Sequence, residues 1–415
     1  MFFFYQFFLS LLLLISPLII FYRIIKNKED KKRFIEKFSI PTKERKRGKL
    51  IWFHGASVGE ILSILPIIKY YEEKSIISQI LVTSSTLSSS NILEKYKFKK
   101  TIHQYYPIDH FFFTQKFFNY WKPNFVIFVE SEIWPCMINV LNYNNVPIIL
   151  LNARLTKKTF TKWLKINRFA ISIFNKIKIA YPQNIETKYF LKKFKLKKIN
   201  YIGNLKFAQN TENKIKISNK LKYEFSHKKI WVASSTHQNE EIFCAKAHIE
   251  LKKKIKNLIT IIIPRHVHRT NEIKTNIEKL KLKTSLHSHK LKSLKNTDIY
   301  IVDTFGETSK FHNIAASVFL GGSIIKRGGQ NPLEAARYGA NILHGPNIDN
   351  FKDVYKLLKN LKISKKVNTP KNLASSIIFK KNLKLGLKIK NIGEKIIKKT
   401  IRELNKLIIN EVKKT

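Results

Sequence analysis

Ten short apolar runs, separated by longer helical patterns, constrain the fold of this chain more than any other feature. Leu50 to His54, Ile80 to Thr83, Phe125 to Val129, Ile148 to Leu151 and Ile177 to Tyr181 make one series. Ile230 to Ala233, Ile259 to Ile263, Ile299 to Val302, Val318 to Leu320 and Asn341 to Leu343 make a second. Apolar runs alternating with helical patterns are the signature of parallel α/β units. The series restarts after a polar, lysine-rich stretch from Gln209 to Lys229, which reads as a linker. A chain of 415 residues also exceeds one ordinary hydrophobic core, so two α/β domains in tandem are expected. Asn382 to Val412 carries a long amphipathic helical pattern, suited to packing back across both.

Each of the first four strands of the second series hands over to a polar or glycine-bearing loop: Ser234 to His237, Pro264 to His266, Asp303 to Glu307, and Gly321 to Glu334. In an open parallel sheet ligands bind outside the carboxyl ends of the strands, so these loops are expected to converge on one crevice. The last of them, GGSIIKRGGQNPLE, is the most telling. Asn331 reads as an N-cap, Pro332 as the first helical position, Glu334 as the third, and Gly339 as the C-cap. Free backbone N–H groups and the helix dipole would there face an anion, a phosphate above all. The competing reading is a well-capped surface helix. Arg265 follows its strand directly, and its planar fork suits bidentate phosphate contacts. His266 and His268 are spaced like metal ligands but lack an acidic or cysteine partner, which favours hydrogen-bonding roles and no metal.

The first series carries its own constellations. In HGASVGE, Ser57 and Glu60 have capping-box spacing; the same Glu60, held at a strand end between Gly55 and Gly59, suits a general base. Glu130, Ser131, Glu132 and Trp134 follow the strand that ends at Val129. One acid there can order an acceptor or stabilise developing positive charge, or the loop is simply solvated. Arg154, closing the next strand, can bind an anion or pair with an acid. Lys206, in GNLKF before the linker, points toward the gap expected between the domains.

The formal net charge of +50 would ordinarily indicate nucleic acid or an anionic membrane. Lys, Asn, Ile and Phe are inflated throughout while Gly and Pro are sparse, so the charge reads as compositional drift, and runs such as Lys192 to Lys198 as solvated faces. Cys136 and Cys244 support neither a disulfide framework nor a zinc site, and a reducing compartment fits. The N-terminus is different in kind. Phe2 to Tyr22 carries no charge and is long enough to span a bilayer. It lacks the basic start and small-residue cleavage site of a signal peptide, so it reads as a retained anchor, with Pro17 and Gln6 leaving room for a shallower, interfacial position. Arg23, Lys26, Lys28, Lys31, Lys32 and Arg33 follow and would keep the rest of the chain cytoplasmic.

HGASVGE, ESEIWP, NARL, GNLKF, PRHVHR, DTFGE, GGSIIKRGGQNPLE and GPNIDNF, in this order from His54 to Phe351, resemble the 3-deoxy-D-manno-octulosonic acid (Kdo) transferases of lipopolysaccharide biosynthesis. The resemblance implies two tandem Rossmann-like domains of the glycosyltransferase-B type, facing a central cleft, behind an N-terminal anchor helix. The boundaries expected are 1–25 for the anchor, 26–208 for the acceptor-binding domain and 209–229 for the linker. Residues 230–380 would form the CMP-Kdo-binding domain, and 381–415 a helix returning to the N-terminal domain. It implies transfer of Kdo from CMP-Kdo to lipid IVA at the cytoplasmic face of the inner membrane, with no cofactor and no nucleic-acid partner. Glu60 resembles the family's catalytic base for an inverting displacement, and Glu130 with Lys206 the pair that stabilises the transition state. Pro264 and Arg265, then Phe305, Gly306 and Glu307, then Asn331, Pro332, Leu333 and Glu334 resemble its CMP-binding segments.

Two positions depart from the family pattern. Gln330 stands where histidine is common, and Asn239 where glycine is usual; neither removes a catalytic group, and both bear on donor affinity. Two rival readings follow. A membrane-tethered nucleic-acid-binding protein would show steep salt dependence and indifference to Glu60. A glycosyltransferase of the same fold using another nucleotide sugar would prefer UDP or GDP to CMP.

Overall fold

The computed structural model describes residues 1–208, 217–289 and 293–412, with side chains to residue 408. The chain divides into two compact units, Met1–Asn210 with Gly393–Thr415, and Thr211–Ile392. Of the stretch expected as a linker, 209–216 lies outside the described residues, and the rest contains the helix Asn219–Ser226 and the first residue of a strand.

The first unit is built on β1 (Leu50–His54), β2 (Gln79–Ser84), β3 (Thr101–Tyr105), β4 (Phe125–Val129), β5 (Ile148–Ala153) and β6 (Ile179–Pro182). They form one parallel sheet in the order β3-β2-β1-β4-β5-β6. All five residues of β1 and of β4 are buried because helices cover both faces. Trp52 and Phe128 enter one core, and Ile51, Phe53 and Ile127 the other, as strand alternation requires. The strand order reverses between β1 and β4, and the chemistry expected of HGASVGE and ESEIWP falls at the carboxyl ends of those two strands.

The second unit repeats the scheme with β7 (Lys229–Thr236), β8 (Leu258–Pro264), β9 (Thr284–Leu286), β10 (Ile299–Ile301), β11 (Ser317–Leu320), β12 (Asn341–His344) and β13 (Ser364–Lys366). Their parallel order is β13-β12-β11-β7-β8-β10-β9, so its reversal lies between β7 and β11. Leu383–Val412 is one continuous helix whose residues belong to the second unit up to Ile392 and to the first from Gly393. Ile396, Ile397, Ile401, Leu404 and Ile408 of this helix pack into the first unit's core.

Candidate active site

At the end of β1 the chain turns through Gly55 and Ala56 into the helix Val58–Glu72. Ser57 caps that helix, and Glu60 closes the box: one carboxylate oxygen accepts from the Ala56 N–H at 2.6 Å and the other from Ser57 Oγ at 3.0 Å. The capping role is therefore real. It does not use up the carboxylate, because burial and the neighbouring Glu132 and Glu130 push its pKa up to about 7, against the pull of the Ser57 and Ala56 bonds. A carboxylate poised near neutrality and held from two sides is suited to accepting a proton.

Glu130 is an unusual place for a side chain. Its φ is 58°, a left-handed conformation that non-glycine residues seldom adopt, and Asn152 at the end of β5 has φ 52°. The two are coupled: Glu130 N donates to Leu151 O at 2.9 Å, Arg154 N to Glu130 O at 3.1 Å, and Asn152 Nδ2 to Glu130 Oε1 at 3.4 Å. Asn152 Oδ1 in turn accepts from Leu205 N at 2.9 Å, fixing the 3-10 turn Leu205–Ala208. That turn delivers Lys206 Nζ to Glu130 Oε1 at 2.8 Å. The acid and the amine expected as partners thus meet in the first unit.

His54 and Asn152 carry weight that sequence reasoning did not assign. His54 is fully buried, with Nδ1 2.9 Å from Thr83 Oγ1 and Nε2 2.9 Å from Glu132 Oε2. Its ring stacks on Tyr106 at 3.9 Å, and Trp134 Nε1 donates to the same Glu132 oxygen at 2.8 Å. Glu132 is thereby held beside Glu60 by an aromatic bracket. Its signal in the sequence was the histidine closing β1, whose side chain must find a polar partner once buried.

Gly393 sets the other side of this assembly. A Cβ there would run into the backbone of Phe207, so only glycine lets the C-terminal helix lie against the turn that carries Lys206. Gly393→Ala is expected to cost about 1–3 kcal/mol of stability, as overpacking does, and to lower activity by displacing Lys206. Chemical denaturation read beside an assay checks both.

In the second unit three of the four loops, Ser234 to His237, Pro264 to His266 and Gly321 to Glu334, meet one another. Arg265 N donates to Thr236 O at 2.9 Å, Gly321 N to Ser234 O at 2.9 Å, and the His237 and His266 rings lie 5.7 Å apart. His312 Nε2 lies 3.0 Å from Ser234 Oγ, and its Nδ1 lies 3.8 Å from Glu334. Arg265 is exposed beside this cluster, and Phe305 is 78% exposed. Gly306 turns at φ 83°, and Glu307 pairs with Lys310 at 2.5 Å. Burial lowers the pKa of His312 and of His237, so neutral rings are favoured there. Burial likewise pulls Arg337, beside Glu334, down to about 10. His237 Nε2, Thr304 Oγ1 and His312 Nδ1 are buried and lack a hydrogen-bond partner among the described residues, although most buried polar atoms in folded proteins have one. All three belong to carboxyl-end loops or the helix that follows one.

One expectation for the glycine-rich loop is corrected. The N–H groups of Gly322, Ser323 and Ile324 do not face an open anion site, because the buried Glu240 carboxylate already accepts from them at 2.6, 3.0 and 2.9 Å. The physical reason is that Glu240, at the first turn of Glu240–Lys252, sits across the β7/β11 reversal and fills the nest itself. Gly321 is required there, since a Cβ would meet the backbone of Ser235 and Thr236. The helix Leu333–Arg337 starts one residue later than expected, with Pro332 rather than Asn331 at its N-cap and Tyr338 rather than Gly339 at its C-cap, because the Asn331 side chain closes a turn ahead of it, its Oδ1 accepting from Leu333 N at 3.1 Å. Asn239 has φ 73°, where glycine is favoured and Asn is among the few tolerated substitutes, so its departure from the family pattern is a mild one. Gln330 offers its carbonyl to Tyr355 Oη at 3.1 Å. Among the described residues no group of three or more His, Cys, Asp or Glu is placed to hold a metal ion, and both cysteines are buried.

Two Rossmann-like units, each with its reactive loops at the carboxyl strand ends, define the glycosyltransferase-B fold. The UDP-GlcNAc 2-epimerase of Neisseria meningitidis, solved with UDP-GlcNAc, shares the fold at TM-score 0.57 and 14% identity, over 88% of this chain and 100% of its own. A glycosyltransferase from Rickettsia africae does so at 0.53 and 13%, over 89% and 100%. Residues 32–209 match the family model for 3-deoxy-D-manno-octulosonic-acid transferase (kdotransferase). The 3-deoxy-D-manno-octulosonic acid transferase of Rickettsia bellii is 34% identical over 98% of this chain and 96% of its own length, and that of Haemophilus influenzae is 29% identical over 85% and 84%. The chain belongs to the Kdo transferase family, and its activity is Kdo transfer in lipopolysaccharide biosynthesis.

Proposed function

We propose that the protein transfers Kdo from CMP-Kdo to lipid IVA, with Glu60 as the base of an inverting displacement. Glu60 takes the proton of an acceptor hydroxyl, the freed oxygen bonds to the anomeric carbon of Kdo, and the bond from that carbon to the CMP phosphate oxygen breaks. CMP departs as an anion, so preorganised charge can carry the step. Lys206, held by Glu130 at 2.8 Å, offsets negative charge on the leaving group or on the Kdo carboxylate. In the second unit Pro264 and Arg265 form the phosphate clamp. Phe305, Gly306 and Glu307, with Asn331, Pro332, Leu333 and Glu334, hold the nucleotide, Glu334 taking the ribose hydroxyls.

The observation that carries this reading is Glu60, a carboxylate tied at both oxygens yet raised to about 7 beside two further acids. The apolar helix Phe2–Ile25 and the basic residues after it suit a phosphorylated lipid acceptor at the inner face of a membrane. Incubation of the purified chain with CMP-Kdo and lipid IVA, with products counted by mass spectrometry, tests the reaction and gives the number of sugars added. Folded protein that binds CMP but yields no product would overturn the acceptor assignment.

Lys206→Ala is expected to lower kcat by roughly 10²–10³-fold with a smaller change in KM, the pattern for loss of charge stabilisation made mainly in the transition state. Steady-state kinetics against both substrates checks it. A rise in KM alone would make Lys206 a binding residue.

A further inference from the structure

Phe2–Ile25 is long and apolar enough to cross a membrane. Yet both of its ends are fastened to the same unit. At its start Tyr5 Oη donates to Asp109 Oδ2 at 2.8 Å, and the Gln6 side chain accepts from Phe111 N at 3.1 Å while its amide reaches Cys136. Ser10 Oγ lies 3.2 Å from His110 Nε2, and Phe2 packs on the unit's core. The Asp109 carboxylate is buried and also accepts from Cys136 N and Met137 N at 3.0 and 2.9 Å, so Tyr5 docks on a rigid fixture.

The far end is tied down as firmly. Ile20 is buried, Arg23 pairs with Glu29 at 3.0 Å, and Glu29 also holds Lys37. The turn Phe34–Phe38 that follows is bonded to β3, with Tyr105 N donating to Glu36 at 2.7 Å and Arg33 donating to His103 O at 2.7 Å. A helix of 24 residues is about 36 Å long. It cannot cross some 30 Å of hydrocarbon while both ends sit on one body at one side of the bilayer.

Between the ends a continuous apolar strip is open to solvent, including Phe4, Phe8, Leu14, Leu18 and Phe21, with exposed Phe111 and Phe112 on the body beside its start. Lys26, Lys28, Lys31 and Lys32 follow directly. We infer that Phe2–Ile25 lies in the plane of an anionic membrane surface, apolar face at the headgroup–acyl boundary, with the N-terminus on the same side as the body. The helix itself carries no charge from Phe2 to Tyr22, so its surface placement comes from the ties at both ends, with apolar contact along the strip and attraction of the following lysines to anionic headgroups acting together. A spanning helix would have to pull Tyr5 and Gln6 away from Asp109 and Phe111, leaving a buried carboxylate short of a donor.

The inference rests on the membrane reading of this helix, and flotation with vesicles containing phosphatidylglycerol separates the two, since protein that does not float overturns that reading itself. Topology then tests the orientation. A cysteine joined ahead of Met1 by a short Gly-Ser linker, and separately Lys256→Cys on the second unit, are treated with a membrane-impermeant maleimide in inverted and right-side-out membrane vesicles; the native cysteines are buried. Both sites are expected to react in the same vesicles, and reaction of the N-terminal cysteine only from the opposite face would overturn the proposal. Ser10→Cys combined with His110→Cys, bridged by a short thiol reagent in membranes, is expected to give an internally linked monomer. A linked dimer would instead assign the strip to a second copy and overturn the membrane placement.

Discussion

Glu60→Gln is expected to lower kcat by about 10²–10⁴-fold while leaving the fold intact, because glutamine keeps the capping box and cannot take a proton. Here the substitution separates two roles that one residue holds together. Glu60→Ala would remove both the base and the bonds to Ala56 and Ser57, and loss of a cap alone costs about 1 kcal/mol. With glutamine the amide oxygen can still accept from the Ala56 N–H, so unfolding midpoints should barely move. The pH profile gives an independent sign. Burial and two neighbouring acids raise the carboxyl pKa from its ordinary range to about 7, so the basic form is present above that pH. Activity should fall about tenfold per unit as pH drops below it, and Glu60→Gln should flatten that limb. The same shift makes ionised Glu60 a cost to the folded state at high pH, relieved as pH falls through 7 toward 4.5; glutamine should be no less stable than wild type at pH 8. Retained turnover in Glu60→Gln would return this residue to capping alone and move the search for a base to Glu132, the nearest acid in its aromatic bracket.

Much of this architecture could be read from residue pattern because buried parallel strands are locally encoded. LIWFH and FVIFV can hardly be anything but strands packed on both faces, and both were expected at the boundaries observed. Strand β3 escaped because TIHQY has little apolar content: buried His103 meets Ser84 at 2.8 Å, whereas both side-chain amide atoms of buried Gln104 lack a hydrogen-bond partner among the described residues. β9 and β13 are three-residue edges whose pairing is supplied by a neighbour rather than by their own composition. The site was legible as single residues but not as contacts. Nothing local in the sequence shows that Lys206 meets Glu130, because the meeting depends on Asn152 bridging to Leu205 and on Gly393 admitting a helix nearly two hundred residues downstream. The glycine-rich loop misled for the same reason: its free N–H groups are real in isolation, and the acid that consumes them lies one domain-half earlier in the chain.

That acid gives the second large expected effect. Glu240→Gln should destabilise the second unit by several kcal/mol and abolish CMP binding with it. Glu240 is fully buried, and one carboxylate oxygen accepts from His237 N at 3.0 Å and Gly322 N at 2.6 Å while the other serves Ser323 N and Ile324 N. An amide has one accepting oxygen, so whichever way it is turned two backbone donors face an NH₂ group. Each buried donor left unmade costs about 1–3 kcal/mol, and the pair approaches the whole stability of a marginal domain. Glu240→Asp shortens the reach to all four donors and should fare little better. Hydrogen exchange resolved by unit should show protection lost around β7 and β11 and kept in β1 and β4. CMP titration of whatever remains folded reads the second consequence, because the nest aligns the loop that leads to Asn331 and Glu334. A gain in CMP affinity on removing the charge would reverse the assignment, since it would mean that the Gly322 nest is the phosphate site and that Glu240 holds it shut.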